Sequence, residues 1–185
     1  IFQWMPSFLV RSHQMQSGEI GSWLALIIGG GGAIGSLAGG YMADRLSKRD
    51  MRWQMWLPAI CVLLAAPTSL GIYLSDGIAA TLSFLLLPVL LVNTYLGPTF
   101  AMTQTLAPLR MRAMASAALI FVLNIIGLGL GPQAVGIVSD LLAPAYGAES
   151  LRYAMMLSGL IYVWSAYHFW RAAQTLREDL AAAVE

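Results

Sequence analysis

Apolar residues run along this chain in long blocks, and the few charges fall between the blocks. Residues 20–43 are uncharged and end at Asp44; residues 53–75 are uncharged and end at Asp76. Residues 77–109, 113–139 and 153–170 follow, the last closed by Arg171. A helix needs about 20 apolar residues to cross the hydrocarbon core of a bilayer. The pattern therefore predicts full spans over about 20–43, 53–75, 77–107, 113–139 and 153–170. The opening Ile1-Phe2-Gln3-Trp4-Met5-Pro6 reads as the end of a further helix, a remnant over residues 1–12 whose beginning is missing. Residues 1–171 thus form one transmembrane bundle. Residues 172–185, where Arg177, Glu178 and Asp179 mix with alanines, read as a solvated cytoplasmic tail.

Composition supports a lipid setting. Of 185 residues, 58% are hydrophobic and 10% charged, against about 25% charged in a soluble domain. A net charge of +1 argues against a nucleic-acid partner, which is held through many phosphate contacts. The opening lacks a basic stretch leading to a cleavage site, so it does not read as a signal peptide. The lone Cys61 reads as a core thiol. With one cysteine and the distant His13 and His168, no zinc or redox motif can be assembled, and no metal or cofactor is expected.

Lys and Arg in short loops set orientation. With the Asp44 loop inside, Arg45, Lys48, Arg49, Arg52, Arg110, Arg112, Arg171 and Arg177 are cytoplasmic, and Arg11 and Arg152 are outside. The C-terminus is then cytoplasmic. Arg110 and Arg112 are explained by this topology, although anionic lipid headgroups would also suit them. Trp53, Trp56, Tyr73, Tyr153 and Trp170 fall near span ends, where aromatic belts belong.

Gly30, Gly32 and Gly35 spell G-x-G-x-x-G, but a dinucleotide site needs a preceding strand and a βαβ unit. Inside a membrane helix, Gly31, Gly35 and Gly39 instead line one face and let a neighbouring backbone come close. Such contact suits a helix that slides or rocks. Gly97-Pro98 and Gly131-Pro132 interrupt two spans, and Pro58, Pro67 and Pro88 add kinks. The freed backbone groups must then meet protein or a water-filled cavity, a pattern of transporters that receptors and channels also show.

The loop Gly40-Tyr41-Met42-Ala43-Asp44-Arg45-Leu46-Ser47-Lys48-Arg49 resembles the signature loop of the major facilitator superfamily. The order of elements resembles the second half of such a transporter: an all-α membrane protein, the C-terminal six-helix bundle of a twelve-helix fold with its first helix truncated. Further matches resemble the Spinster branch. They are Trp4-Met5-Pro6-Ser7-Phe8 with Arg11-Ser12-His13, Arg110-Met111-Arg112-Ala113, the stretch from Asn124 to Pro132, Gly136-Ile137-Val138-Ser139-Asp140 and Ser150-Leu151-Arg152-Tyr153.

The resemblance implies secondary transport by alternating access in a bilayer, with a bacterial inner membrane as location. The partners are a small-molecule or lipid substrate and the missing N-terminal half of the same chain. It makes Gly40, Asp44, Arg45, Lys48 and Arg49 a conformational-switch loop, with Asp44 facing a helix N-terminus in the missing half; the plainer reading is an ordinary loop acid. Substrate contacts fall to Gln3, Trp4, Asn93, Thr94, Thr99, Thr103, Gln104 and Asn124, and Phe2, Phe8, Phe100 and Met102 supply apolar wall. For Asn93, Gln104 and Asn124, helix-to-helix hydrogen bonding is the equal alternative. The threonines can bond their own helix carbonyls. The resemblance places the proton-coupling acid of this branch in the other half, and the five full spans here hold no Asp, Glu, Lys or Arg. His168 reads as interfacial. The expected function is secondary active transport, by alternating access and coupled to protons, of an amphipathic organic or lysolipid-like substrate. A small organic anion or drug is the alternative within transport, and a non-transporting receptor or scaffold the alternative outside it. No catalytic set can be assembled from these spans, so an enzyme is not expected.

Overall fold

A span in lipid must satisfy its backbone polar groups internally, and helices do so. The computed structural model describes residues 2–183, so Ile1 of the opening and Val184 and Glu185 of the tail lie outside the described residues. A single 3₁₀ turn, Phe2–Trp4, leads into α1, Met5–His13. Pro6 sits in its first turn, where no donor is needed. The helix ends at Gln14 in the left-handed conformation (φ 54°), whose N–H returns to the Val10 carbonyl at 3.1 Å. Helix α2 spans Ser17–Ser47 and widens to π-helical bonding over Ala25–Gly30. Helix α3 is Trp53–Leu74.

Helix α4, Ile78–Leu106, is broken by a turn after Asn93 and resumes at Leu96. The break precedes Gly97-Pro98: Pro98 has no N–H to offer the preceding turn. Helix α5 covers residues 112–146, with a π-helical stretch Leu123–Leu130 ahead of Gly131-Pro132. Helix α6 covers residues 150–182, through a turn at Gly159.

By length and composition alone, Leu109–Ala182 counts as one apolar stretch of 74 residues. A straight helix of that size would be on the order of 110 Å long at about 1.5 Å per residue, against a core of about 30 Å. Gly147, with φ +54°, reverses the chain instead. Across that reversal Ser139 and Ser150 hydroxyls meet at 3.1 Å, and the Tyr146 and Tyr153 rings lie 4.4 Å apart.

Helix α3 packs on α6, α4 and α2, and α5 packs chiefly on the first part of α6. One core, built on Met5, Phe8, Leu9, Tyr73, Leu85 and Met155, ties α1, α3, α4 and α6 together. Smaller clusters sit toward the other end, around Met55, Met102 and Leu176, and around Ala43, Leu57 and Cys61, a buried free thiol. Residues 112–130 of α5 bury none of their side chains.

Gly31, Gly35 and Gly39 all face α4. A methyl group at Gly39 would fall 2.5 Å from the Thr94 Cα, and one at Gly35 would strike the Leu90 backbone. At Gly31 it would meet the Leu86 and Val89 side chains at 3.1 and 3.3 Å.

Candidate functional site: the α2–α3 loop and the open helix faces

Asp44 lies in the last turn of α2, where the negative end of the helix dipole disfavours an anion. Arg45, Lys48 and Arg49 crowd the same turn and offset it. The Asp44 side chain is exposed, and its Oδ1 accepts from Gln54 Nε2 at 3.2 Å. Gln54, in the first turn of α3, is only 4% exposed, and its Oε1 has no partner among the described residues. Within this chain, then, the helix start that Asp44 addresses is that of α3. Gln54 is absent from the sequence-based candidates; a lone amide between Trp53 and Met55 is the signal that could have found it.

Arg45, Leu46, Lys48 and Arg49 line an open recess of about 430 Å³. Among the described residues the ion pairs are Arg152 with Glu149 and Arg177 with Asp50, so Arg45, Lys48 and Arg49 carry no carboxylate partner. Gly40 packs by its Cα against α4: a methyl at Gly97 would sit 3.2 Å from it.

The loop is held at Asp50. Its Oδ1 accepts the Arg52 backbone N–H at 3.0 Å, and Arg177 donates from Nε at 3.2 Å and from Nη2 at 2.7 Å. The Arg52 N–H above all, helped by the Arg177 side chain and opposed by desolvation, holds the Asp50 carboxyl below its ordinary value. The opposite end of the bundle has its own cluster. Ser12 donates to Glu149 at 3.3 Å, and Arg152 Nε lies 2.8 Å from the same carboxylate, an ion contact without hydrogen-bond alignment. His13 meets the Thr81 hydroxyl at 3.2 Å.

The cavity candidates do not converge on one site. Trp4 donates its indole N–H to the Pro132 carbonyl at 2.8 Å and lies over Gly136, so it clamps α1 to α5. Asn93 donates to its own helix at Val89 (2.7 Å) and packs beside Gly32. Thr94 is buried, bonded to Leu91 O at 2.7 Å and pressed on Gly39. Thr103 bonds Thr99 O at 2.8 Å, whereas the buried Thr99 hydroxyl has no partner among the described residues. Gln104 donates to Ser116 at 3.1 Å and joins α4 to α5. Asn124, exposed on the π-helical stretch, bonds Ile120 O at 2.7 Å, and Gln3 is exposed at the start of the described chain. Phe8 and Met102 are core residues.

Between α1, α4, α5 and α6 lies a recess of about 410 Å³ lined by Phe2, Tyr95, Ile126, Gly131, Ser158 and Tyr162, with other apolar residues. Of the sequence-based candidates, Phe2 is the one on this wall. Tyr95, Ser158 and Tyr162 escaped notice because a tyrosine or serine in an apolar run reads as packing. The lining is apolar with hydroxyl groups and holds no Asp, Glu, Lys or Arg. Among the described residues no cluster could hold a metal ion.

No protein-family model matches the chain. An MFS-type efflux pump of Mycolicibacterium smegmatis is 34% identical over 176 residues, covering 95% of this chain and 41% of that protein. A bacterial homologue of the human lysosomal transporter Spinster, in an inward-facing and occupied conformation, superposes with TM-score 0.83 at 21% identity, covering 95% of this chain and 45% of the other. Its inward-facing unoccupied form gives TM-score 0.82 at 21% identity, covering 94% and 43%. The chain thus spans less than half the length of these proteins. An apolar all-helical bundle of this topology, with sequence likeness through nearly its whole length, is similar to transporters of the major facilitator type and corresponds to less than half of their length.

Proposed function

We propose that this chain is the C-terminal half of a secondary active transporter that exports an amphipathic, lysolipid-like or drug-like organic substrate, coupled to protons. The observation that carries the reading is the recess lined by Phe2, Tyr95, Ser158 and Tyr162, which offers apolar wall and hydroxyl groups without charge. Such a lining suits a molecule with a large apolar body and a small polar part. A small organic anion would need a cationic wall, and this recess has none. Export is supported by the Mycolicibacterium smegmatis relative, an efflux pump. The proton-binding acid is assigned to the other half, since no carboxylate lines this recess. The Lys and Arg distribution supports a cytoplasmic C-terminus, in a bacterial inner membrane.

In this reading residues 112–130 of α5, which bury no side chain, face the substrate path and the partner half. Asp44, Arg45, Lys48 and Arg49, with Gly40 packed on α4, form the switch loop. Asn124, Gln3 and Gln104 are the candidates with exposed side chains.

The test is transport by the full-length parent in proteoliposomes, with a fluorescent lysophospholipid and an imposed pH gradient. Gradient-dependent movement is expected. Transport of a cationic drug or a small anion but not of the lysolipid would discard the substrate class, and absence of any flux would favour a receptor or scaffold.

A further inference from the structure

We propose that the groove between α3 and α6 is a binding site for one anionic phospholipid, its phosphate held at Arg52. The two helices run antiparallel, with Asp50 facing Arg177, Trp56 beside Trp170, and Leu63 beside Val163. Small residues make the floor: Ala59 and Ala166 are 7% and 5% exposed. Ile60, Leu63, Val163 and Tyr167 stand up as half-exposed walls around a trough of about 290 Å³. A second recess of about 410 Å³, lined by Trp53, Trp56 and Trp170, shares Ala59, Ile60 and Trp170 with the trough. The two form one channel along the protein surface, leading from membrane depth to the bundle end.

The chemistry changes along that channel in the order of a phospholipid. The trough is almost wholly apolar and fits an acyl chain. The indoles of Trp53 and Trp56, edge to face at 5.6 Å, stand with Trp170 at the level where amphipathic rings meet headgroups. Beyond them comes Arg52. Its guanidinium lies 5.9 Å from the Trp56 ring, and its Nε is buried without a partner among the described residues. The nearest carboxylate in sequence, Asp50, is already engaged by Arg177 and by the Arg52 backbone N–H. Arg52 is therefore a cation with donors to spare at the mouth of an apolar trough. Lys48 and Arg49 in the same loop add positive charge. A buried unsatisfied donor is costly, and a phosphate oxygen would satisfy it. Free phosphate would match the arginine but leave the trough empty, whereas a neutral lipid would fill the trough but leave the arginine unpaired.

Native mass spectrometry of the detergent-purified full-length parent tests this, with dioleoylphosphatidylglycerol and dioleoylphosphatidylcholine titrated separately. The wild type should hold the glycerol lipid in preference to the choline lipid. Arg52→Gln should weaken phosphatidylglycerol binding about fivefold, as expected for one cation at a membrane surface, and Arg52→Lys should keep most of it. Ile60→Trp, at a half-exposed wall position, should block the trough and weaken both lipids. Equal retention of the two lipids by the wild type would overturn the proposal. So would unchanged phosphatidylglycerol binding in both Arg52→Gln and Ile60→Trp.

Discussion

Arg177 and Asp50, 127 residues apart in sequence, are joined by two hydrogen bonds, so the last turns of α6 hold the loop between α2 and α3. A planar guanidinium matches a carboxylate through two parallel bonds, and this fixes orientation as well as proximity. We expect Arg177→Gln to raise amide hydrogen exchange over residues 46–52 while the α3 and α6 cores stay protected. Unchanged exchange would show that the Arg52 N–H alone holds Asp50.

The same pair gives a pH dependence. Asp50 titrates below its ordinary value of 3.8 in the folded chain, so folding favours its ionised form. Its contribution is fully present above the ordinary carboxylate range and is lost as pH falls through the lowered value. The protection factor of the loop amides, exchange relative to the free chain at the same pH, should thus be constant from neutral pH down to the ordinary carboxylate range and fall only below it. Asp50→Asn should show the lowered protection at every pH.

Substitution at the glycine face should be felt through backbone atoms. A methyl at Gly39 would lie 2.5 Å from Thr94 Cα and backbone oxygen, neither of which can rotate away. Gly39→Ala should lower stability by about 1–3 kcal/mol, as overpacking does, and Gly35→Ala should do the same. Gly29→Ala, where nothing lies within 4 Å, is the matched control and should leave the melting temperature of the parent protein unchanged or higher.

Trp4→Phe keeps a ring over Gly136 but removes the donor to Pro132. The expected loss is about 0.5–1.5 kcal/mol, the net value of one hydrogen bond, read as a lower melting temperature. If Trp4 instead contacts substrate, the apparent affinity will change and the melting temperature will not.

Asp44→Asn keeps an acceptor for Gln54 and removes the charge. We expect transport to fall while expression and melting stay intact, because in the proposed switch the anion's interaction with a helix start differs between the two conformations. Full transport by the purified variant would remove Asp44 from the switch.

The membrane bundle was legible because a bilayer tolerates so few charges that their positions mark the turns. The glycine face was legible because a four-residue repeat lands on one side of a helix. The break between the last two spans was legible from Asp140, Glu149 and Arg152, but not that the chain reverses on one left-handed residue, Gly147. The bond from the Trp4 indole N–H, a candidate substrate contact, to a carbonyl on α5 pairs residues far apart in sequence and was not legible. Thr94 bonds its own helix, an alternative open to any threonine in an apolar run, and Asn93 does the same; that both pack on the glycines of α2 is a tertiary contact that the run does not reveal. Tyr95 and Tyr162 line the recess through tertiary packing alone.

The contact between α2 and α4 at Gly35 and Gly39 has a thermodynamic consequence. Lipid tails are as apolar as leucine, so burying ordinary side chains between helices gains little in a bilayer. Atoms at van der Waals distance attract each other whatever surrounds them. Cohesion across this glycine face is therefore largely independent of the solvent, and the α2–α4 pair keeps its register in detergent, thin bilayer or thick.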